Sequence, residues 1–260
     1  MRPASFGPRP RSEMELGLQG KRVLVTGGSR GIGKAIVAGF LDEGARVATC
    51  ARGAESLLAM VSELTAQGEV HDRVCDMADP DAVEALVAWA AETLGGLDIV
   101  VSNVSAMNAR DFRVGYEIDI RGMHTLIEAS TPHFAHHAGC NVIAIGSRAG
   151  SAGTVLPAYS AYKAATASYM KSLGIRHAKR GIRFNCVSPG DILFDGGTWA
   201  DARDNRPEFY NAVLAQNPTG RMGTPEEIAN VVVFVASERA SFVTGANLLV
   251  DGAATDGIQL

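Results

Sequence analysis

Long apolar runs are missing from this chain. No stretch approaches the ~18 residues of a membrane-spanning helix, so no span is expected. Basic charge is not in excess either. The 24 Lys and Arg stand against 28 Asp and Glu, a formal −4, which excludes the footprint of a typical nucleic-acid binder. Cysteine is sparse, at four in 260 residues. Three of Cys50, Cys75, Cys140 and Cys186 fall in or at the ends of apolar, strand-like runs, so reduced, buried thiols of a cytoplasmic protein are expected. The N-terminal MRPASFGPRPRSE has no apolar core, so it is not read as a secretory signal. Its prolines and arginines lead to the expectation of a disordered tail over 1–18, with 19–260 as one domain. Glycine, by contrast, is abundant: 29 of 260 residues, against a usual ~7%. Without a collagen-like period, the excess points to tight turns and close backbone approaches. Hydrophobic residues at 47% and charged residues at 20% give the balance of a globular chain with a large core.

From about residue 20, short apolar runs alternate with longer helical patterns. Strands are expected at 21–26, 45–51, 70–76, 97–103, 140–147, 182–188 and 245–252. Helices are expected at 31–44, 54–67, 80–94, 112–137 and 157–180, with another opened by the capping box of Thr224-Pro225-Glu226-Glu227. Strands that are apolar throughout suit a parallel sheet covered on both faces. Strict alternation of strand and helix predicts a single-domain, Rossmann-type, doubly wound α/β sheet. The segment 189–220, rich in Gly, Asp, Asn and aromatics, reads as a long functional loop over a site.

TGGSRGIG (26–33) joins the first strand to the first helix. Gly27, Gly31 and Gly33 allow torsions and approaches that a Cβ would obstruct, and the helix N-terminus offers N–H groups to a pyrophosphate. The spacing is G-x-x-x-G-x-G, so a dinucleotide is expected, although a plain turn would use the same residues. A cofactor with a free ribose 2′-hydroxyl favours a carboxylate at the end of the second strand. Ala51 stands there instead, followed by Arg52, while Arg30 lies in the turn. Two guanidiniums suit a 2′-phosphate and hence NADP.

Tyr159 and Lys163 in YSAYK are four apart and share one helical face. A phenol titrates near ~10, and an adjacent ammonium favours the phenolate, which suits Tyr159 to acid–base work. Tyr162, next to Lys163, does not face it. Ser147, at the end of the fifth strand, places a hydroxyl where it can steady a carbonyl or alkoxide oxygen. His133, His136 and His137 cluster near a helix end without a carboxylate or thiol at ligand spacing, so no metal is expected.

Over residues 20–252 the chain resembles the single-domain short-chain dehydrogenase/reductase family. The resemblance rests on TGGSRGIG, Asp76 after the third strand, LDIVVSN, IGS with YSAYK, Ser188-Pro189-Gly190, RMGTPEEIA and TGANLLVDG. It implies Ser147, Tyr159 and Lys163 as the catalytic triad, with Asp119 at the place of a fourth member, ordinarily an asparagine acting through its backbone carbonyl. It implies cofactor contacts from Gly27, Ser29, Arg30, Gly31, Ile32, Gly33, Arg52, Asp76, Asn103, Tyr159, Lys163, Gly190 and Ile192. It also implies a homotetramer, or a dimer, built through helices 112–137 and 157–180. Val104-Ser105 replaces the family's Ala-Gly after Asn103, Phe194 takes the place of a threonine, and the stretch from Asn103 to Asp119 is short. The expected activity is an NADPH-dependent carbonyl reductase or alcohol dehydrogenase acting on a 3-oxoacyl thioester or a cyclic, polyketide-like ketone. The alternative is a non-catalytic dinucleotide-binding module or redox sensor.

Overall fold

The computed structural model describes residues 15–107, 111–134, 139–152, 154 and 156–257. Seven parallel strands form one sheet: β1 Arg22–Thr26, β2 Arg46–Ala51, β3 Val70–Val74, β4 Ile99–Ser102, β5 Asn141–Ile145, β6 Arg183–Pro189 and β7 Asn247–Val250. Their order is β3-β2-β1-β4-β5-β6-β7. The chain winds outward from β1 to β3, crosses back, and winds outward again from β4. The crevice at that reversal is where open α/β sheets bind ligands.

Side chains alternate across the sheet with the period of two that a strand requires. Leu24, Val100, Val142 and Ala144 face one core, with α3 (Pro80–Leu94), α5 (Met123–Ser130) and α6 (Pro157–His177). Val23, Val25, Ile99, Val101, Ile143 and Ile145 face the other, with α1 (Gly31–Asp42), α2 (Ala54–Leu64) and α9 (Pro225–Ala236). Both faces are covered, which explains why the strands read as apolar without alternation. Helix ends follow their caps. Asp79 accepts hydrogen bonds from the N–H groups of Asp81 and Ala82 at the start of α3, Pro80 occupies its first turn, and Gly95 closes it at φ 78°. At α9, Thr224 and Glu227 bond reciprocally, completing the expected box.

Three expectations are corrected. Residues 15–18 are packed rather than disordered: Leu18 is buried, and the Glu15 carbonyl accepts a hydrogen bond from Arg239 Nε at 2.8 Å. The helix at 112–137 is not continuous. It comprises a short α4 (Phe112–Gly115), a π-helical turn over Tyr116–Gly122, α5, and a 3-10 turn ending at His133. His136 and His137 lie outside the described residues. Segment 189–220 is no bare loop, since it holds α7 (Thr198–Asn205) and α8 (Pro207–Leu214), with Trp199 stacked on Phe209 at 5.8 Å. Gly197 and Pro207 mark the two starts. The polar sequence TWADARDN gives α7 too weak an apolar stripe to announce itself.

Among the described residues no helix is long and apolar enough to cross a membrane. The four cysteines are buried.

Candidate active site

The C-terminal edge of the sheet gathers the expected site residues. After β5, Gly146 turns the chain where a Cβ would come within 2.4 Å of Ser188 Oγ. Ser147 follows and accepts the Ala149 N–H at 3.1 Å, opening a 3-10 turn over Arg148–Gly150. Gly150 lets that turn rest directly on α6, since a Cβ there would meet the Lys163 carbonyl carbon at 2.7 Å. The turn carrying Ser147 is thereby seated against the helix carrying Tyr159 and Lys163.

Lys163 is 4% exposed. A buried ammonium needs partners, because an unpaired charge in a core is costly. It donates to the Ile145 carbonyl at 3.0 Å. Its Nζ lies 3.2 Å from Asp119 Oδ1 and 5.7 Å from the centroid of the Tyr159 ring. Burial pulls its pKa down, but the charges of Tyr159 and Asp119 outweigh burial and hold it above the ordinary lysine value. Asp119 lies in the middle of the π-helical turn, a feature often found at functional sites. Its other oxygen accepts the Ala106 N–H at 3.0 Å. The side chain of Asp119, and not only its backbone, is thus part of the arrangement. Tyr162 points elsewhere, donating from its hydroxyl to the Phe112 carbonyl.

The glycine turn fits a dinucleotide phosphate. Gly27 and Gly31 have φ of 75° and 54°. A Cβ on Gly33 would come within 2.1 Å of the Gly27 carbonyl oxygen. Asn103 locks the turn, donating from Nδ2 to the carbonyls of Thr26 and Gly27 at 3.0 and 3.3 Å. The substituted Val104 packs a methyl beside Gly27. Ser29 and Ile32 are half-buried and flank the turn. Arg30 and Arg52 are exposed, and Arg30 reaches the Gly196 carbonyl at 3.3 Å. The Phe194 ring lies over Gly31. Asp76 caps its own turn by accepting the Ala78 N–H at 3.0 Å. Gly190 permits close approach to Asp251, where a Cβ would be 2.7 Å from its Cα, and buried Ile192 pairs with Gly223.

Some contributors were not legible in advance. Gly28 is tight against Thr49 Oγ1, 2.1 Å from where its Cβ would be. Thr26 Oγ1 accepts the Asn103 N–H at 3.0 Å. Arg148 and Asp191, each next to an expected site residue, form an ion pair at 2.9 Å. Adjacency to Ser147 and to Gly190 was the available signal for that pair.

A seven-stranded parallel Rossmann sheet with this turn and this Tyr–Lys helix defines a nicotinamide-dependent oxidoreductase class. A family model described as enoyl-(acyl carrier protein) reductase matches residues 27–255. The chain belongs to the short-chain dehydrogenase/reductase family. It is 36% identical to an isoepoxydon dehydrogenase of Penicillium expansum over 94% of this chain and 98% of that protein. It is 38% identical to an L-fucose dehydrogenase of Mus musculus, over 92% and 89%. The solved L-sorbose reductase of Gluconobacter frateurii, complexed with NADPH and L-sorbose, superposes with a TM-score of 0.84 at 30% identity, covering 94% of this chain and all of that one.

Proposed function

We propose that the protein is an NADP-dependent oxidoreductase interconverting a ketone and a secondary alcohol, through Ser147, Tyr159, Lys163 and Asp119. The observation that carries this reading is the buried Lys163 ammonium, held by the Ile145 carbonyl and Asp119 beside the Tyr159 ring. A dinucleotide, when bound, supplies or accepts the hydride. Gly27, Ser29, Arg30, Gly31, Ile32, Gly33, Asp76, Asn103, Gly190 and Ile192 would hold it, with Arg30 and Arg52 toward a 2′-phosphate. Ser147 donates a hydrogen bond to the reacting oxygen. Tyr159 delivers a proton to that oxygen in reduction and removes it in oxidation. Lys163 favours the phenolate left behind. Four cysteines buried inside the fold suit a reducing compartment such as the cytoplasm. Exposed Phe112, Val114, Tyr116 and Ile175 on the two helical segments suit a homo-oligomer, a tetramer or a dimer.

The test is Tyr159→Phe. Folding and dinucleotide binding should persist, while turnover should fall by about 10²–10⁴-fold, the usual reach of general acid catalysis. Tyr162→Phe is the comparison, and its loss should appear in thermal stability because its hydroxyl bonds the Phe112 carbonyl. Undiminished turnover in Tyr159→Phe would remove Tyr159 from the proton transfer, whereas dinucleotide binding without turnover in the unmodified protein would favour the non-catalytic, dinucleotide-binding reading.

A further inference from the structure

Resting on that oxidoreductase reading, we propose that Arg148 and Asp191 form a hydroxyl-recognition pair, selecting substrates that carry a second hydroxyl beside the reacting carbon. Arg148 follows Ser147 beyond the end of β5, and Asp191 follows Gly190 beyond the end of β6. The two strands are neighbours, with Ile145 opposite Val187. The pair therefore bridges the sheet edge on which Ser147 stands.

Its side chains are 23% and 12% exposed, with Arg148 Nη2 at 2.9 Å from Asp191 Oδ2. They are drier than a surface pair yet still reached by solvent. The Asp191 carboxyl is pushed up by burial; Arg148 offsets part of this, and the charge of Asp251 adds to it. Such a carboxylate gains from a further hydrogen-bond donor. A guanidinium carries five N–H donors, and among the described residues Asp191 is the acceptor that Arg148 meets. A hydroxyl both donates and accepts. It can accept from the guanidinium and donate to the carboxylate at once, whereas a bare methylene would strip water from both charges and return nothing. Asp191 also lines a cavity of about 100 Å³ whose wall mixes polar Asn217 and Thr219 with apolar Ile192, Ile228 and Val250.

The backbone does not need the ion pair to hold this loop. Gly223 donates to the Asp191 carbonyl at 2.9 Å, Leu193 donates to the Gly223 carbonyl at 2.9 Å, and Gly190 donates to the Val250 carbonyl at 3.0 Å. These bonds hold residues 190–193 to Gly223 and Val250, and the ion pair joins the same loop to the turn that follows Ser147. Arg148 adjoins Ser147 in sequence, and recognition by the pair would set a second substrate hydroxyl near the oxygen that Ser147 is proposed to hold.

The test uses ligands differing by one hydroxyl: cyclohexane-1,2-diol and cyclohexanol. Binding to the protein saturated with NADP or NAD is measured by calorimetry, and oxidation of each is followed at the nicotinamide absorbance. The unmodified protein should favour the diol by about tenfold or more, the scale of a hydrogen bond to a charged group. Asp191→Asn and Arg148→Gln should each reduce that preference to about threefold or less, with the loss concentrated in the KM of the diol. A structural role would instead lower both ligands alike, together with thermal stability. Equal binding of the two ligands, or binding of neither, overturns the proposal. Turnover of both without preference sinks it and leaves the oxidoreductase reading standing. A diol preference in binding that is lost in the variants, with no turnover of either alcohol, upholds the pair and sinks that reading.

Discussion

Asp119 brings a carboxylate to a place where the family ordinarily needs only a carbonyl. Its Oδ1 faces Lys163 at 3.2 Å, and its charge helps hold the lysine protonated against burial. Asp119→Asn keeps the size of the side chain and removes that charge. Burial then weighs more heavily, and Lys163 loses its proton at lower pH. The expected outcome is an alkaline limb of kcat/KM displaced to lower pH, measured by buffered rate profiles of the two proteins. Superimposable profiles would return Asp119 to a backbone role. Stability follows the same sign. With the folded pKa of Lys163 raised, its contribution is complete below the ordinary value near ~10.4 and is lost as pH rises through the higher folded value.

The supersecondary elements owe their relative placement to a few pinned junctions. One joins β1, β4 and the end of α3. Arg22 donates to Asp98 from its backbone N–H at 2.9 Å, from Nε at 2.8 Å and from Nη2 at 2.7 Å, and reaches the Gly95 carbonyl at 2.6 Å. Burial alone would raise the pKa of Asp98, but these bonds and the Arg22 charge lower it. Asp98→Asn should therefore cost about 2–3 kcal/mol at neutral pH, a loss at the upper end for charged hydrogen bonds. Because the folded pKa is depressed, the contribution of the carboxylate is present above the unfolded value of ~3.9 and disappears as pH falls through the folded one. Urea titrations at pH 7 and in acid should show the gap between the two proteins closing as Asp98 protonates; a gap independent of pH would refute the assignment. Local signals announced elements of this kind: the capping box of Thr224 with Glu227 opened α9. They did not announce the π-helical turn around Asp119. Its sequence, YEIDIRG, carries no proline, and its packing partner is remote: a Cβ on Gly122 would strike the Met77 carbonyl at 2.3 Å.

At the scale of the whole molecule, the alternating pattern of strand and helix was legible because each layer of a doubly wound sheet repeats one local rule. The candidate site was legible where its residues lie close in sequence, as in the glycine turn and YSAYK. It was not legible where the fold joins distant positions: Phe194 over Gly31, Asp119 against Lys163, Arg148 against Asp191. Such pairs depend on which loops meet, and no local propensity encodes that. The same distinction governs assembly. Phe112, Val114 and Tyr116, at 61, 42 and 47% exposure, lie in one helical segment, and Ile175, at 71%, lies on α6. In the homo-oligomer proposed above, these large apolar side chains on two neighbouring helices are the surface that association would cover. The unmodified protein should sediment as a multiple of the 27.3 kDa chain, at four copies if the tetramer holds. Ile175→Glu sets a charge against that surface, and burying it in an interface costs several kcal/mol unless it is paired. Its sedimentation should shift to a smaller species while the secondary structure seen by circular dichroism is retained. A single 27.3 kDa species for the unmodified protein would show that these side chains face solvent in the working molecule and that the site at the sheet edge is complete in one chain.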